Sequence, residues 1–276
     1  MSSGNNPLSP EQQNTAPLAG EAQQGVSPPG QAVAEDPPWG IGGVVRIAVV
    51  AAVAIGFFSM IAMGVAILTA GPVRASASDL ARNPRVVVPA QFAAYLVVVI
   101  YMVWLVRSPG RRFWTAIRWH WPRVRWFGWA GLGVALALFV QAASALLPIP
   151  KSLPIDRYFR DTAGAYMMAV FGLTFAPLVE ELFFRGFMYP ALARRLGMIA
   201  AVLITAALFA FIHTSQLANA WAPLLLLFLV GVVLTAVRAR TGSVATTFLV
   251  HVGYNGTLFT LLYVASDAFR HLEKVS

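Results

Sequence analysis

Seven apolar stretches follow one another along this chain: Val44–Ala70, Val86–Val106, Trp126–Leu147, Ala163 to about Leu196, Met198–Thr214, Ala222–Val237 and Val244–Ala265. A run of about 18 or more apolar residues crosses hydrocarbon as a helix, since only helices and closed barrels satisfy their own backbone groups there. A barrel would need short alternating strands, whereas these runs are continuous and rich in Ala, Leu and Val. With 58% hydrophobic and only 11% charged residues, and a mean hydropathy of +0.68, a soluble globule is excluded. The expectation is an all-α, polytopic membrane helix bundle of about seven transmembrane helices, a multi-pass protein of the cell membrane with the bilayer as its surroundings.

Residues 1–42 read differently. They are Pro, Gln, Gly, Ser and Asn with few large apolar side chains, a composition too polar to offset its ordering entropy, and are expected to form a disordered cytoplasmic tail. Residues 43–276 are expected to form the bundle, with its chemistry at about 163–265. The first apolar run starts well inside the chain and lacks a short basic lead at Met1, so it reads as a retained anchor rather than a signal peptide.

The formal charge is +9, with a pI near 10.6, which raises nucleic acid as a partner. The arginines nevertheless gather beside the apolar runs, where lipid and the positive-inside rule explain them. No nucleic-acid partner is expected. Arg107, Arg111, Arg112, Arg118, Arg123 and Arg125 crowd the second connection, and Arg194, Arg195, Arg238 and Arg240 mark the fourth and sixth, which places these connections and the N-terminus on the cytoplasmic side. Between Arg111 and Trp126, Trp alternates with Arg, as in segments lying at headgroup level. The absence of Cys removes thiol chemistry.

One apolar stretch contains adjacent acids, Glu180 and Glu181. A carboxylate at bilayer depth costs about 2.5–3.5 kcal/mol on insertion scales, so it persists where it is paired, faces a wet cavity or does chemistry. The two differ by about 100° around a helix and should not face one target together, whereas Glu181 and Arg185 stand at i, i+4 on one face. Glu181 with Arg185 reads as an intramembrane ion pair that leaves Glu180 available.

His213 and His251 also fall inside apolar runs, while His120 and His271 do not. Glu180 lies 17 residues before Gly197 and His213 lies 16 after it, so a hairpin turning at Gly197 places both about 25 Å from the turn. His251, 9 residues past Gly242 and so about 14 Å from its own turn, reaches the same level if the Gly197 hairpin projects roughly 10 Å beyond the membrane. Asn255 follows His251 at i+4, so the pair offers two convergent donors suited to an oxyanion. A carboxylate, a nearby histidine and convergent donors are the parts that activate water against a carbonyl, which implies peptide-bond hydrolysis in a membrane cavity.

These residues form three motifs, Glu180-Glu181-Leu-Phe-Phe-Arg185, Phe209-Ala-Phe-Ile-His213 and His251-Val-Gly-Tyr-Asn255. In order and spacing the chain resembles the CPBP family, the CAAX prenyl proteases and bacteriocin-processing enzymes also called Abi proteins, over about Leu173 to Leu262. The resemblance implies an intramembrane endopeptidase acting on a membrane-associated protein or peptide. Glu180 and His213 would activate the attacking water, His251 with Asn255 would stabilise the oxyanion, and Glu181, Arg185 and Phe209 would support them. Members are often labelled metalloproteases, so a divalent metal such as zinc on Glu180, His213 and His251 stands beside a metal-free glutamate mechanism. The chain has no His-Glu-x-x-His, Gly-x-Gly-Asp or Gly-x-Ser-Gly of other intramembrane proteases. Two other readings of the same residues are a catalytically silent scaffold or immunity protein and a proton- or cation-coupled transporter.

Overall fold

Each span is delimited by a local signal that the sequence carries. Asn83 accepts the Arg85 N–H at 3.0 Å and is followed by Pro84, which has no N–H to satisfy, so a helix starts there. Asp161 caps a later helix by accepting from Gly164 N–H at 2.9 Å, and Ser243 another by accepting from Thr246 N–H at 3.2 Å. Gly242, at φ 64°, closes the preceding helix in the left-handed region, so Gly242-Ser243 reverses the chain within two residues.

The computed structural model describes Met1 and residues 37–69, 76–108, 110–122, 125–159 and 161–271. In chain order these hold α1 (Ile41–Thr69), the short α2 (Ala77–Leu80), α3 (Pro84–Arg107), the short α4 (Phe113–Ala116), α5 (Trp126–Ser144) and a 3₁₀ segment (Pro154–Phe159). There follow α6 (Thr162–Leu173), α7 (Phe175–Glu181), a π-helix (Leu182–Met188), α8 (Tyr189–Phe211), α9 (Trp221–Thr241) and α10 (Val244–Ala265). No strand occurs among the described residues. The tail expected over 1–42 lies, from residue 2 to residue 36, outside them. Pro37 and Trp39 are buried against the bundle.

Among the described residues, six helical stretches are long and apolar enough to cross a membrane. The fourth, Thr162–Phe211, contains Gly197 at φ 77°, where the chain turns back: Tyr189 and Leu192 before it pack against Ala201 and Val202 after it. That stretch therefore holds both the fourth and the fifth expected spans. The continuous helix expected from Ala163 to Leu196 is instead four segments, α6, α7, the π-helix and the first part of α8. Pro177 has no N–H to give the Leu173 carbonyl, so α6 ends at Leu173, and α7 restarts after Thr174 (φ −119°, ψ −74°) before widening into the π-helix.

Val44 and Ile47 of α1 pack with Val98, Met102 and Val106 of α3, and Leu136, Ala137 and Val140 of α5 pack with Val250 and Tyr254 of α10. Small residues set the α5–α10 spacing. A Cβ at Gly253 would strike the Ala130 carbonyl oxygen, and one at Gly133 would strike that of Val250, so the backbones touch directly. Gly253→Ala is expected to push α10 away from α5 at a cost of about 1–3 kcal/mol. Thermal unfolding in detergent checks this against Gly131→Ala, where the new methyl meets nothing within 4 Å.

The arginine-rich connections share one end of the bundle. Val244 N–H donates to the Arg118 carbonyl at 3.1 Å, the Ser243 hydroxyl donates to the His120 carbonyl, and Arg194 donates to the carbonyls of Pro37 (3.1 Å) and Trp39 (3.3 Å). Arg238 departs from this pattern. It is 1% exposed, facing the bundle interior rather than marking its rim.

Candidate active site

Glu181 and Arg185 straddle the start of the π-helix, and both are wholly buried. Arg185 Nη1 donates to Glu181 Oε1 at 2.9 Å, as the i, i+4 spacing led one to expect. The rest of the guanidinium is held by α9, with Nε donating to Thr235 Oγ1 at 3.3 Å and Nη2 to the Gly231 carbonyl at 3.2 Å. The Thr235 hydroxyl donates to the same carbonyl at 2.7 Å. A buried charge is tolerable when paired and multiply hydrogen-bonded, and Arg185 meets that condition.

Glu181 does more than neutralise Arg185. His251 Nδ1 donates to the same Oε1 at 2.8 Å, while His251 Nε2 stands 3.8 Å from Glu180 Oε2. The two glutamates therefore meet one imidazole, contrary to the expectation that neighbours 100° apart cannot share a target. An imidazole presents its nitrogens in divergent directions, so two carboxylates on different helix faces can each reach one of them. With Nδ1–H committed to Glu181, the nitrogen that faces Glu180 is fixed as Nε2. Glu180 retains 14% side-chain exposure and has no guanidinium bonded to it, whereas His251 is nearly enclosed.

The partner of Glu180 is thus His251, a correction to the expected pairing with His213. No hydrogen bond or ion pair joins Glu180 to His213. The equal-depth arithmetic assumed an unbroken α-helix from Glu180 to Gly197. The π-helix adds a residue to the turn between them, changing which way Glu180 faces relative to α8. His213 itself lies beyond the end of α8, where Nδ1–H donates to the Phe209 carbonyl at 2.8 Å. Phe209 is the wall between these groups: its ring centroid lies 5.1 Å from that of His213, 6.0 Å from that of His251, and 4.7 Å from Arg185 Cζ.

Asn255 shares a helix face with His251, yet its amide donates to the Gly172 carbonyl at 2.8 Å, next to the break between α6 and α7. One N–H of the expected oxyanion pair is therefore spent on holding α10 to α6, and His251 Nδ1–H is spent on Glu181. Among the described residues no three His, Cys, Asp or Glu side chains are grouped to hold a metal ion. Glu180, His213 and His251, the set that a divalent metal such as zinc would take, are not grouped in that way.

Sequence reasoning missed Thr235 and misread Arg238. Gly231, Thr235 and Arg238 recur at i, i+4 and i+7 along α9, a polar stripe within an otherwise apolar span, and that periodicity was the available signal. Arg238 Nε donates to the Arg185 carbonyl at 3.1 Å, and its Cζ lies 5.6 Å from the Tyr189 ring centroid.

Fold and site together define a multi-pass helical membrane protein with an acid–histidine centre at the meeting of α7, the π-helix, α9 and α10. Residues 162–257 match the family model described as type II CAAX prenyl endopeptidase Rce1-like, so that over this region the chain is similar to the members of that family. At the family level these are CAAX-type intramembrane proteases. No curated protein and no solved structure matches the chain.

Proposed function

We propose that this protein is an intramembrane endopeptidase that hydrolyses a peptide bond in a membrane-associated protein or peptide, with Glu180 as the base for the attacking water. One observation carries the reading: a partly open carboxylate faces an imidazole whose other nitrogen is fixed by a second, arginine-paired carboxylate. A base next to a group oriented by a third residue is the recurring arrangement of hydrolytic centres.

Water between Glu180 and His251 loses a proton to Glu180 as its oxygen adds to the substrate carbonyl carbon. The tetrahedral intermediate then expels the amine, which takes that proton, directly or by way of His251 Nε2. General acid–base transfer of this kind contributes about 10²–10⁴-fold. In this reading the amide hydrogen of Asn255 not given to Gly172 is the donor to the developing oxyanion, and His213, with Nδ1–H held by the Phe209 carbonyl, has Nε2 as its remaining ring nitrogen. The arginine-rich end, the N-terminus with it, lies in the cytoplasm. The partners are the peptide substrate and the bilayer.

The test compares protein termini in membranes of cells lacking the protein and supplied with wild type or with His251→Ala. New termini in membrane-associated proteins should appear only with wild type. Termini or phenotypes restored equally by both would leave the protein a scaffold.

A further inference from the structure

The π-helix raises an accounting question about its own backbone. Tyr189 N–H donates to the Phe184 carbonyl, an i+5 bond. The next carbonyl, that of Arg185, would take its α-type bond from Tyr189 N–H, already used, or its π-type bond from residue 190. Residue 190 is proline and has no N–H. The Arg185 carbonyl is thus left without a main-chain donor in the interior of the bundle, where an unsatisfied group is costly. Arg238 Nε fills that place at 3.1 Å.

We propose that Arg238 is a positioning residue for the acid–histidine centre, acting by capping the Arg185 carbonyl that Pro190 cannot serve. One face of α9 then clamps Arg185 at both ends: Arg238 holds its main chain, and Thr235 with the Gly231 carbonyl holds its guanidinium. From there the constraint passes through Glu181 Oε1 to His251 Nδ1, and so sets the direction in which Nε2 faces Glu180. Without the cap, the π-to-α junction is free to shift register, because a bond from Tyr189 N–H to Arg185 is the α-helical alternative to the one it makes. The register shift would turn Arg185 and Glu181 together away from His251.

The proposal rests on the protease reading for its kinetic consequence, and its structural consequence is read independently of any substrate. The full-length protein is reconstituted in nanodiscs with ¹⁵N-labelled histidine, and the His251 ring nitrogens are assigned by their loss in His251→Gln. Arg238→Met is expected to displace the His251 Nδ1 resonance and to lower kcat on the order of 10²-fold, the effect of a misplacement of about 1 Å, with KM little changed. Pro190→Ala alone should leave both readouts near wild type. Combined with Arg238→Met, it supplies the missing main-chain N–H and should restore the resonance and most of the turnover. Arg238→Gln keeps an N–H donor without the charge, and should hold the His251 resonance in place should Arg238→Met fail to fold.

An unchanged His251 resonance in Arg238→Met, or a displaced one in Arg238→Gln, overturns the proposal. So does a folded double variant no closer to wild type than Arg238→Met alone. A wild-type protein that cleaves nothing, yet shows the expected resonance pattern across the variants, would reject the protease reading and leave the positioning role standing.

Discussion

Glu180→Gln is expected to abolish peptide-bond cleavage while leaving the bundle folded. The amide has the shape of the acid but cannot accept the proton of the attacking water, so kcat should fall by about 10²–10⁴ or more, the contribution of general-base transfer. The fold has little reason to respond. Glu180 bonds to no guanidinium, keeps part of its side chain exposed and has its ion-pair approach to His251 Nε2 at 3.8 Å. Removing one formal charge from bilayer depth lowers the insertion cost rather than raising it. Turnover of a reporter peptide embedded in vesicles, measured beside the thermal transition of the same preparation, separates the two effects. His213→Ala should cost less turnover than Glu180→Gln, because His213 has no bond to Glu180. Undiminished cleavage by Glu180→Gln would remove Glu180 as the base.

The buried ion pair gives the second large effect, and here stability and activity should part. Arg185→Met leaves Glu181 ionised with no counter-charge and leaves the Gly231 carbonyl without one of its donors. Breaking one side of a buried pair costs about 3–5 kcal/mol, enough to remove much of the stability of a single domain. Adding Glu181→Leu removes the stranded charge, and a hydrophobic replacement of both partners is often neutral or stabilising. The double variant should therefore recover most of the unfolding temperature lost by Arg185→Met. It should stay inactive, because His251 Nδ1 has then lost the carboxylate that orients it. Recovery of cleavage along with stability would show that Glu181 serves only to balance Arg185.

What could be read from the sequence divides along physical lines. The spans were legible because apolar runs and their Pro, Asn and Gly borders are local signals, and Gly197 and Gly242 both turned out to sit at reversals with positive φ. Glu181 with Arg185 was legible from i, i+4 spacing, which survives the start of the π-helix. The partner of Glu180 was not. A π-helix has no sequence signature in Leu182–Met188 that spacing arithmetic can use, and its extra residue per turn alters every facing direction carried across it. Depth alone therefore did not name the partner, which is His251 for Glu180, while His213 bonds the Phe209 carbonyl. Asn255 failed differently: the side chain shares the face expected, but the break at Thr174, next to the carbonyl its amide takes, depended on how α6 ends. Arg238 was read by its position near a connection, where arginine usually marks topology, although its place on the Gly231–Thr235 stripe pointed inward.

The clamp on Arg185 also bears on how such a chain is assembled. Glu180, Glu181 and Arg185 ride on one span and Arg238 on another, with the second half of α8 between them in the chain. Glu180, Glu181 and Arg185 by themselves sum to one formal negative charge, and Arg238 supplies one buried positive charge; brought together, the four cancel. Burying these charges therefore depends on α9 packing against the π-helix, so that charge balance in the bundle interior and the setting of His251 rest on the same contacts.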